Sequence, residues 1–180
     1  MNPEVIKQLV SMRHSPLRNY IVPGLTSWLI LDHGDAGKVR MFECTREQHE
    51  FITPHSHRFD FSACVLEGSV ANTLWVKTDD PKADLYRERQ SNYLGTPGSY
   101  ENNTLGDFRF VADTICHGEG EWYSMHFTEI HSIHFEKGSR VLFFEGPRKT
   151  NSSSIIEPVV DGEYLPTMRT EPWMFRKEKS

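Results

Sequence analysis

The sequence predicts an all-β protein, a sandwich or barrel, with one short helix at the N-terminus. Three observations lead there. Short apolar runs recur along most of the chain, many of them bounded by turn residues such as Gly, Pro, Asp or Asn. About ten such runs can be counted, spaced as strands and turns are in sandwiches and barrels. Helical spacing of apolar residues is clear only once, in the first turns of the chain.

Taken in order, Asn2, Pro3 and Glu4 make a helix start. They supply a capping side chain, a proline whose missing N–H costs nothing in the first turn, and a carboxylate near the positive end. Val5, Ile6, Leu9 and Val10 follow at helical spacing, so this helix lays one face on the outside of a sheet, and Ser15-Pro16 ends it. Residues 27–32 and 39–44 read as strands around the turn HGDAG at 33–37. Residues 59–66 and 70–76 flank Glu67-Gly68 and predict a hairpin. After a polar loop at 78–84, residues 85–89 and 93–94 read as edge strands, and 108–116 as a strand closed by the turn HGEG at 117–120. Strands at 121–126, 130–135 and 139–144 complete the set. KTNSSS at 149–154 reads as a flexible loop and is the one linker signal. Residues 155–175, with Pro158, Pro166, Pro172 and Trp173, read as a tail draped over the barrel or a terminal hairpin. The expectation is a single domain over 1–180, with a helical segment at 1–16, a barrel at 27–148 and a C-terminal extension at 149–180.

The chain has 180 residues and a formal net charge of -5, with no long run of Lys or Arg. Nucleic acid and anionic membranes, which need a concentrated basic face, are not expected partners. Cys44, Cys64 and Cys116 are odd in number and lack a CxxC spacing, as reduced thiols of a cytosolic protein do. The first ten residues lack the apolar core of a signal peptide, and no apolar run approaches the roughly 20 residues of a membrane span. A cytoplasmic protein is expected, its N-terminal helix and Pro-rich tail available as the interface of a homodimer.

The chemistry-bearing stretch is residues 51–68, FITPHSHRFDFSACVLEG. Read as a strand, it points His55 and His57 to one face, their side chains starting roughly 6.5–7 Å apart. A metal held at about 2.0–2.1 Å by each imidazole fits between them. Among the nine histidines, His14, His33, His49 and His117 fall in predicted loops or turns and read as surface residues. On the predicted strand 130–135, His131 shares its face with Ile133 and Phe135, which places it inside; His134 falls on the other, solvent-facing side. A buried imidazole needs partners for both nitrogens, and a metal supplies one. His126 sits at a strand end. Asp60 has the wrong parity to join His55 and His57 without a bulge and is free to pair with Arg58 or another base, whereas Phe61 has the right one. Three neutral histidines are therefore favoured over two with a carboxylate.

The pattern resembles the cupin superfamily of small β-barrels. The His55-Ser56-His57 triplet and Gly68 match the first cupin motif, with Phe61 where the family usually has Glu. Gly120 and His131 match the second motif in spacing, with His126 at its Pro position and Thr128 at its second Gly. The resemblance spans residues 52–144 in outline and implies a double-stranded β-helix barrel. A three-histidine set without carboxylate resembles the thiol-dioxygenase branch, which implies Fe(II) and O₂ acting on a small, thiol-bearing substrate. Ser62 stands about where members of that branch carry a Cys crosslinked to Tyr, so no crosslink is carried over.

Inward parity on the metal-bearing strands nominates Phe59, Phe61, Ala63, Trp122, Ser124 and Ile133 as pocket residues. Tyr123, His126 and Glu129 are the catalytic candidates. Tyr100 and Tyr123 are donors to bound oxygen, only one of Trp122 and Tyr123 being able to face inward. Arg40, Arg58 and Arg109 are each suited to gripping a carboxylate. The leading expectation is an Fe(II) oxygenase on His55, His57 and His131. The alternatives are a non-redox isomerase, lyase or hydrolase using Zn, Mn or Ni on the same ligands, and a non-catalytic barrel that binds a small molecule.

Overall fold

A computed structural model describes residues 3–48, 52–96, 99–160 and 163–164. Helix α1 (Pro3–Ser11) is followed by β1 (His14–Leu17), β2 (Leu25–Asp32), β3 (Lys38–Cys44), β4 (Phe59–Glu67), β5 (Ser69–Lys77) and β6 (Asp84–Tyr93). Then come β7 (Tyr100–Gly118), β8 (Trp122–Met125), β9 (Ile130–Phe135), β10 (Arg140–Arg148), β11 (Ser152–Val160) and the two-residue β12 (Glu163–Tyr164). The strands form two six-stranded sheets, β1-β2-β3-β10-β4-β8 and β12-β11-β6-β7-β5-β9. Among the described residues no helix is long and apolar enough to cross a membrane.

The extended segment 54–56 completes the second sheet. His55 exchanges both backbone hydrogen bonds with His131 of β9, at 2.8 and 2.9 Å. On its other side Ser56 N–H donates to the Ser154 carbonyl at 2.8 Å, and Ile156 N–H to the Pro54 carbonyl at 3.0 Å. The order (54–56)-β9-β5-β7 then faces β3-β10-β4-β8, and these two walls are the double-stranded β-helix of a cupin-like barrel. β6 and β11 are additions that carry the second wall round from β7 to segment 54–56.

Alternation accounts for the packing. Phe61, Ala63 and Val65 of β4, Val141 and Phe143 of β10, Val70 of β5 and Phe135 of β9 all join one buried cluster between the walls. Residues of opposite parity on the first sheet, Met41, Leu142 and Phe144, join a second cluster with Leu9 and Val10 of α1, so the helix does cover the outside of a sheet. A third cluster, Phe110, Ile130 and Ile156 with Trp75, Tyr86 and Phe108, lies on the far side of the second wall, where β6 and β11 curl round.

Several expectations change. β4 and β5 are not a hairpin: β4 pairs with β10 and β8, and β5 with β7 and β9, so the turn at Gly68 carries the chain from one wall to the other. Gly68 has φ 73, and a Cβ there would stand 2.9 Å from the Ser139 Cα. Gly68→Ala is expected to lower stability by at least about 1–2 kcal/mol from the left-handed conformation alone, read as a lower urea midpoint. Residues 85–89 and Tyr93 belong to one strand, β6, which lies inside its sheet rather than at an edge, and Leu94 falls just past its end. β7 runs through His117-Gly118 before turning, and β10 continues to Arg148. The Ser-rich stretch at 149–154 is not a linker, because β11 begins at Ser152 and pairs with β6 from Ser152↔Asn92 onward. The helix ends at Ser11, ahead of Ser15-Pro16, which belongs to the exposed β1. The Asn2 cap, His49, Phe51, Pro166, Pro172 and Trp173 lie outside the described residues.

Candidate metal centre

Backbone pairing builds the site before any side chain is considered. His55 and His131 are direct antiparallel partners that exchange both bonds, so their side chains leave the sheet on the same face. Segment 54–57 is extended and clamped between β9 and β11, and His57 returns to the face of His55, its N–H donating to the Phe127 carbonyl at 3.2 Å. The two-apart spacing works as the sequence implies, though regular strand pairing begins only at Phe59. His131 points inward with Ile133 and Phe135, and is 3% exposed.

The rings converge. Centroids are 4.8 Å apart for His55 and His57, 5.2 Å for His55 and His131, and 5.0 Å for His57 and His131. One nitrogen from each lies within 4.8 Å of the others. A cation about 2.1 Å from each nitrogen needs them no more than about 4.2 Å apart, a span that small ring rotations reach.

The hydrogen bonds suit a cation. The Nδ1 of His131 meets the Asn72 Oδ1 at 2.7 Å, and the Nδ1 of His55 meets the Thr53 carbonyl at 2.8 Å. Both acceptors require a proton on Nδ1, so both Nε2 atoms carry lone pairs. The Nε2 atoms of His57 and His131 face one another at 2.8 Å. Two imidazole nitrogens that close need a proton or a cation between them. Oriented, neutral imidazoles with backbone and amide acceptors behind them are the donor set of a late first-row divalent metal.

Burial is the largest cause holding all three imidazoles neutral. His131 is pushed down to about 3, with the nearby His55 adding to the effect. His57 lies well below its ordinary value through burial and then the charges of His55, His131 and Arg58; His55 is lowered by burial, partly opposed by its bond to Thr53. Because these folded values lie below the unfolded one, the unfolded chain takes up protons first as pH falls. Stability is therefore full above about 6.5 and declines toward about 3. Urea midpoints of metal-free protein should fall between about pH 7 and 5, with His131 alone worth on the order of 2 kcal/mol over that interval. A flat profile would contradict the buried, neutral triad.

Aromatic rings surround the histidines. Phe61, 4% exposed, packs at 4.8 Å from His57, 5.5 Å from His131 and 4.6 Å from Phe143. A phenyl ring thus fills the place where the cupin resemblance puts a carboxylate. Phe59 lies 5.3 Å from His57 and Phe143 6.5 Å. Ala63 and, partly buried, Ile133 belong to the same cluster.

Other nominated residues are placed elsewhere. Trp122 and Ser124 face outward: Trp122 is 42% exposed and stacks on Phe144, and the Ser124 hydroxyl pairs with that of Ser62 at 2.8 Å. The inward residues of β8 are Tyr123 and Met125, set by the register Ala63↔Tyr123 and Phe61↔Met125. Tyr123 stacks on His117 at 4.6 Å and reaches the site only through Phe61, 6.2 Å away; burial raises its phenol, which stays protonated. His126 and Glu129 lie in the turn before β9, where the Glu129 carboxylate accepts the His126 N–H at 2.6 Å and the His126 Nδ1 meets the Thr128 hydroxyl. Asp60 accepts the Phe127 N–H at 2.9 Å, with Lys149, not Arg58, and His126 each 3.8 Å away. His14 and His33 are exposed as expected, whereas His117 and His134 are half-buried. Arg109 donates to the Ala83 carbonyl, Arg40 to the Ser27 hydroxyl at 3.3 Å, and Arg58 stacks over Tyr93 and Tyr100.

Asn72 is the supporting residue that sequence reading misses. Its signal was its parity: it shares a face of β5 with Val70 and Leu74, and a polar residue between two inward apolar ones asks for a buried partner.

No protein-family model matches the chain, and no curated protein matches it in sequence. Among solved structures it is similar to hydroxypropylphosphonic acid epoxidase from S. wedmorenis, at 13% identity, covering 76% of this chain and 56% of that one, with a TM-score of 0.40. It is similar to KdgF from Halomonas sp. at 12% identity, over 75% of this chain and 90% of that one, with a TM-score of 0.38. Hydroquinone 1,2-dioxygenase from Sphingomonas sp. TTNP3 aligns at 12% identity over 64% and 62% of the two chains, with a TM-score of 0.36. The chain thus spans little more than half the length of the epoxidase.

Proposed function

We propose that the protein is a metal-dependent enzyme of cupin type, an oxygenase that uses Fe(II) and O₂ on a small cytoplasmic substrate. The observation that carries the reading is the donor set: three oriented, neutral imidazoles, with the Phe61 ring where a carboxylate ligand would stand. Iron held by three neutral ligands supplies redox chemistry and open positions for a substrate donor such as a thiolate. The chain's own residues do the rest. His55, His57 and His131 hold the ion. Thr53 and Asn72 fix the proton on Nδ1 of His55 and His131, keeping Nε2 as the donor. Phe59, Phe61 and Phe143 pack against the His57 ring and exclude water from that side.

The non-redox alternative on Zn, Mn or Ni needs a general base beside the metal, whereas the Glu129 carboxylate is bonded to the His126 backbone N–H and the His126 ring to the Thr128 hydroxyl, in the turn before β9. The test is metal analysis of protein purified without chelator, with oxygen uptake followed across a panel of small thiols. Bound iron and thiol-dependent uptake are expected. Tightly bound zinc with no uptake would overturn the oxygenase reading.

A further inference from the structure

A cavity of about 130 Å³ opens at the end of the barrel where β4 begins and β10 ends. That volume is roughly four waters' worth, enough for a small polar headgroup. Three cations line it, Lys38, Arg58 and Arg148, together with two carboxylates, Asp35 and Glu145. Two of the cations are already paired: Lys38 with Asp32 at 2.8 Å and Arg148 with Asp35 at 2.9 Å. Arg58 differs. Its guanidinium stacks over Tyr93 at 4.9 Å and Tyr100 at 5.9 Å, and its Nη1 is buried with no hydrogen-bond partner. A buried guanidinium N–H without an acceptor is costly, and a bound oxyanion is the partner such a group takes best. The remaining wall is Phe59, whose ring lies 5.3 Å from that of His57. The cavity and the metal ligands therefore share an aromatic partition.

We propose that this cavity is an anion subsite, and that it holds the oxyanionic end (carboxylate or phosphate) of the substrate while the rest of the molecule lies against the three histidines. This rests on the metal-enzyme reading above for its meaning, but not for its test. Of the two wall carboxylates, Asp35 is paired with Arg148, which leaves Glu145 as the unpaired one that opposes an anion. It pairs with none of the described cations, and burial, its largest influence, raises its carboxyl toward the neutral form, against the opposing pull of Arg40, Lys38 and Arg58. Removing its charge should favour binding, whereas removing that of Arg58 should weaken it.

The experiment is calorimetric titration of the full, metal-free chain with inorganic phosphate and, separately, acetate. Saturable binding of at least one is expected, and the tighter of the two identifies the headgroup. Arg58→Gln should weaken it by about tenfold or more, the loss of a charge-assisted bond. Glu145→Gln should tighten it, an opposite shift that loss of folding cannot produce. The proposal is overturned by no saturable binding of either probe, by binding that Arg58→Gln leaves unchanged, or by an Glu145→Gln variant that binds no better. Anion binding that persists in a protein unable to take up metal would sink the enzyme reading and leave the cavity's assignment standing.

Discussion

Replacing His57 with alanine is expected to abolish stoichiometric binding of a divalent metal while leaving the fold intact. His57 is the half-buried member of the triad, and among the described residues its ring makes one polar contact, to the Nε2 of His131. Its backbone role, donation to the Phe127 carbonyl, survives the change. The loss in affinity should exceed the roughly 10–100-fold that removal of a supporting residue costs, because a direct ligand is gone. Equilibrium dialysis with competing chelators, beside a circular dichroism spectrum, checks both halves. A variant that folds and binds metal as tightly as the parent would remove His57 from the site.

Asn72→Leu should weaken metal binding by about 10–100-fold without touching a ligand. Asn72 is 7% exposed, and its Oδ1 is the only described partner of the His131 Nδ1. Leucine of similar volume leaves that Nδ1–H without an acceptor, which frees the imidazole to shift its proton to Nε2, the atom needed as a donor. The same loss should cost metal-free protein about 1–3 kcal/mol, the penalty of a buried unsatisfied group. Asn72→Asp keeps an acceptor and should restore most of the metal affinity. If both variants bind metal as the parent does, the tautomer argument is wrong.

Much of this architecture could be read from the residues, and the exceptions have identifiable causes. Turn residues between short apolar runs announced an all-β barrel because backbone geometry at those turns leaves few alternatives. The HxH spacing and the parity of His131 against Ile133 and Phe135 bring the three histidines to one face, since alternation along an extended chain is rigid. The β4–β5 junction misled because a Gly turn between two apolar runs serves a hairpin and a sheet-to-sheet crossing equally well. The inward face of β8 is not legible in the residues: Trp122 and Tyr123 are adjacent aromatics, each able to satisfy a core, and only pairing with β4 decides between them. β11 hid behind KTNSSS because its order comes from backbone bonds to β6 and segment 54–56, which composition does not encode. Asn72 is reached only across strands, through a partner 59 residues away.

X-ray absorption on the metal edge of protein purified without chelator bears most directly on whether these rings share one ion. The expected spectrum has three imidazole nitrogens at about 2.0–2.1 Å and no sulfur, and this signal should vanish in the His57→Ala variant. A bound metal coordinated by thiolate or carboxylate alone, or one whose spectrum His57→Ala leaves unchanged, would show that the three histidines are packing and not a metal centre.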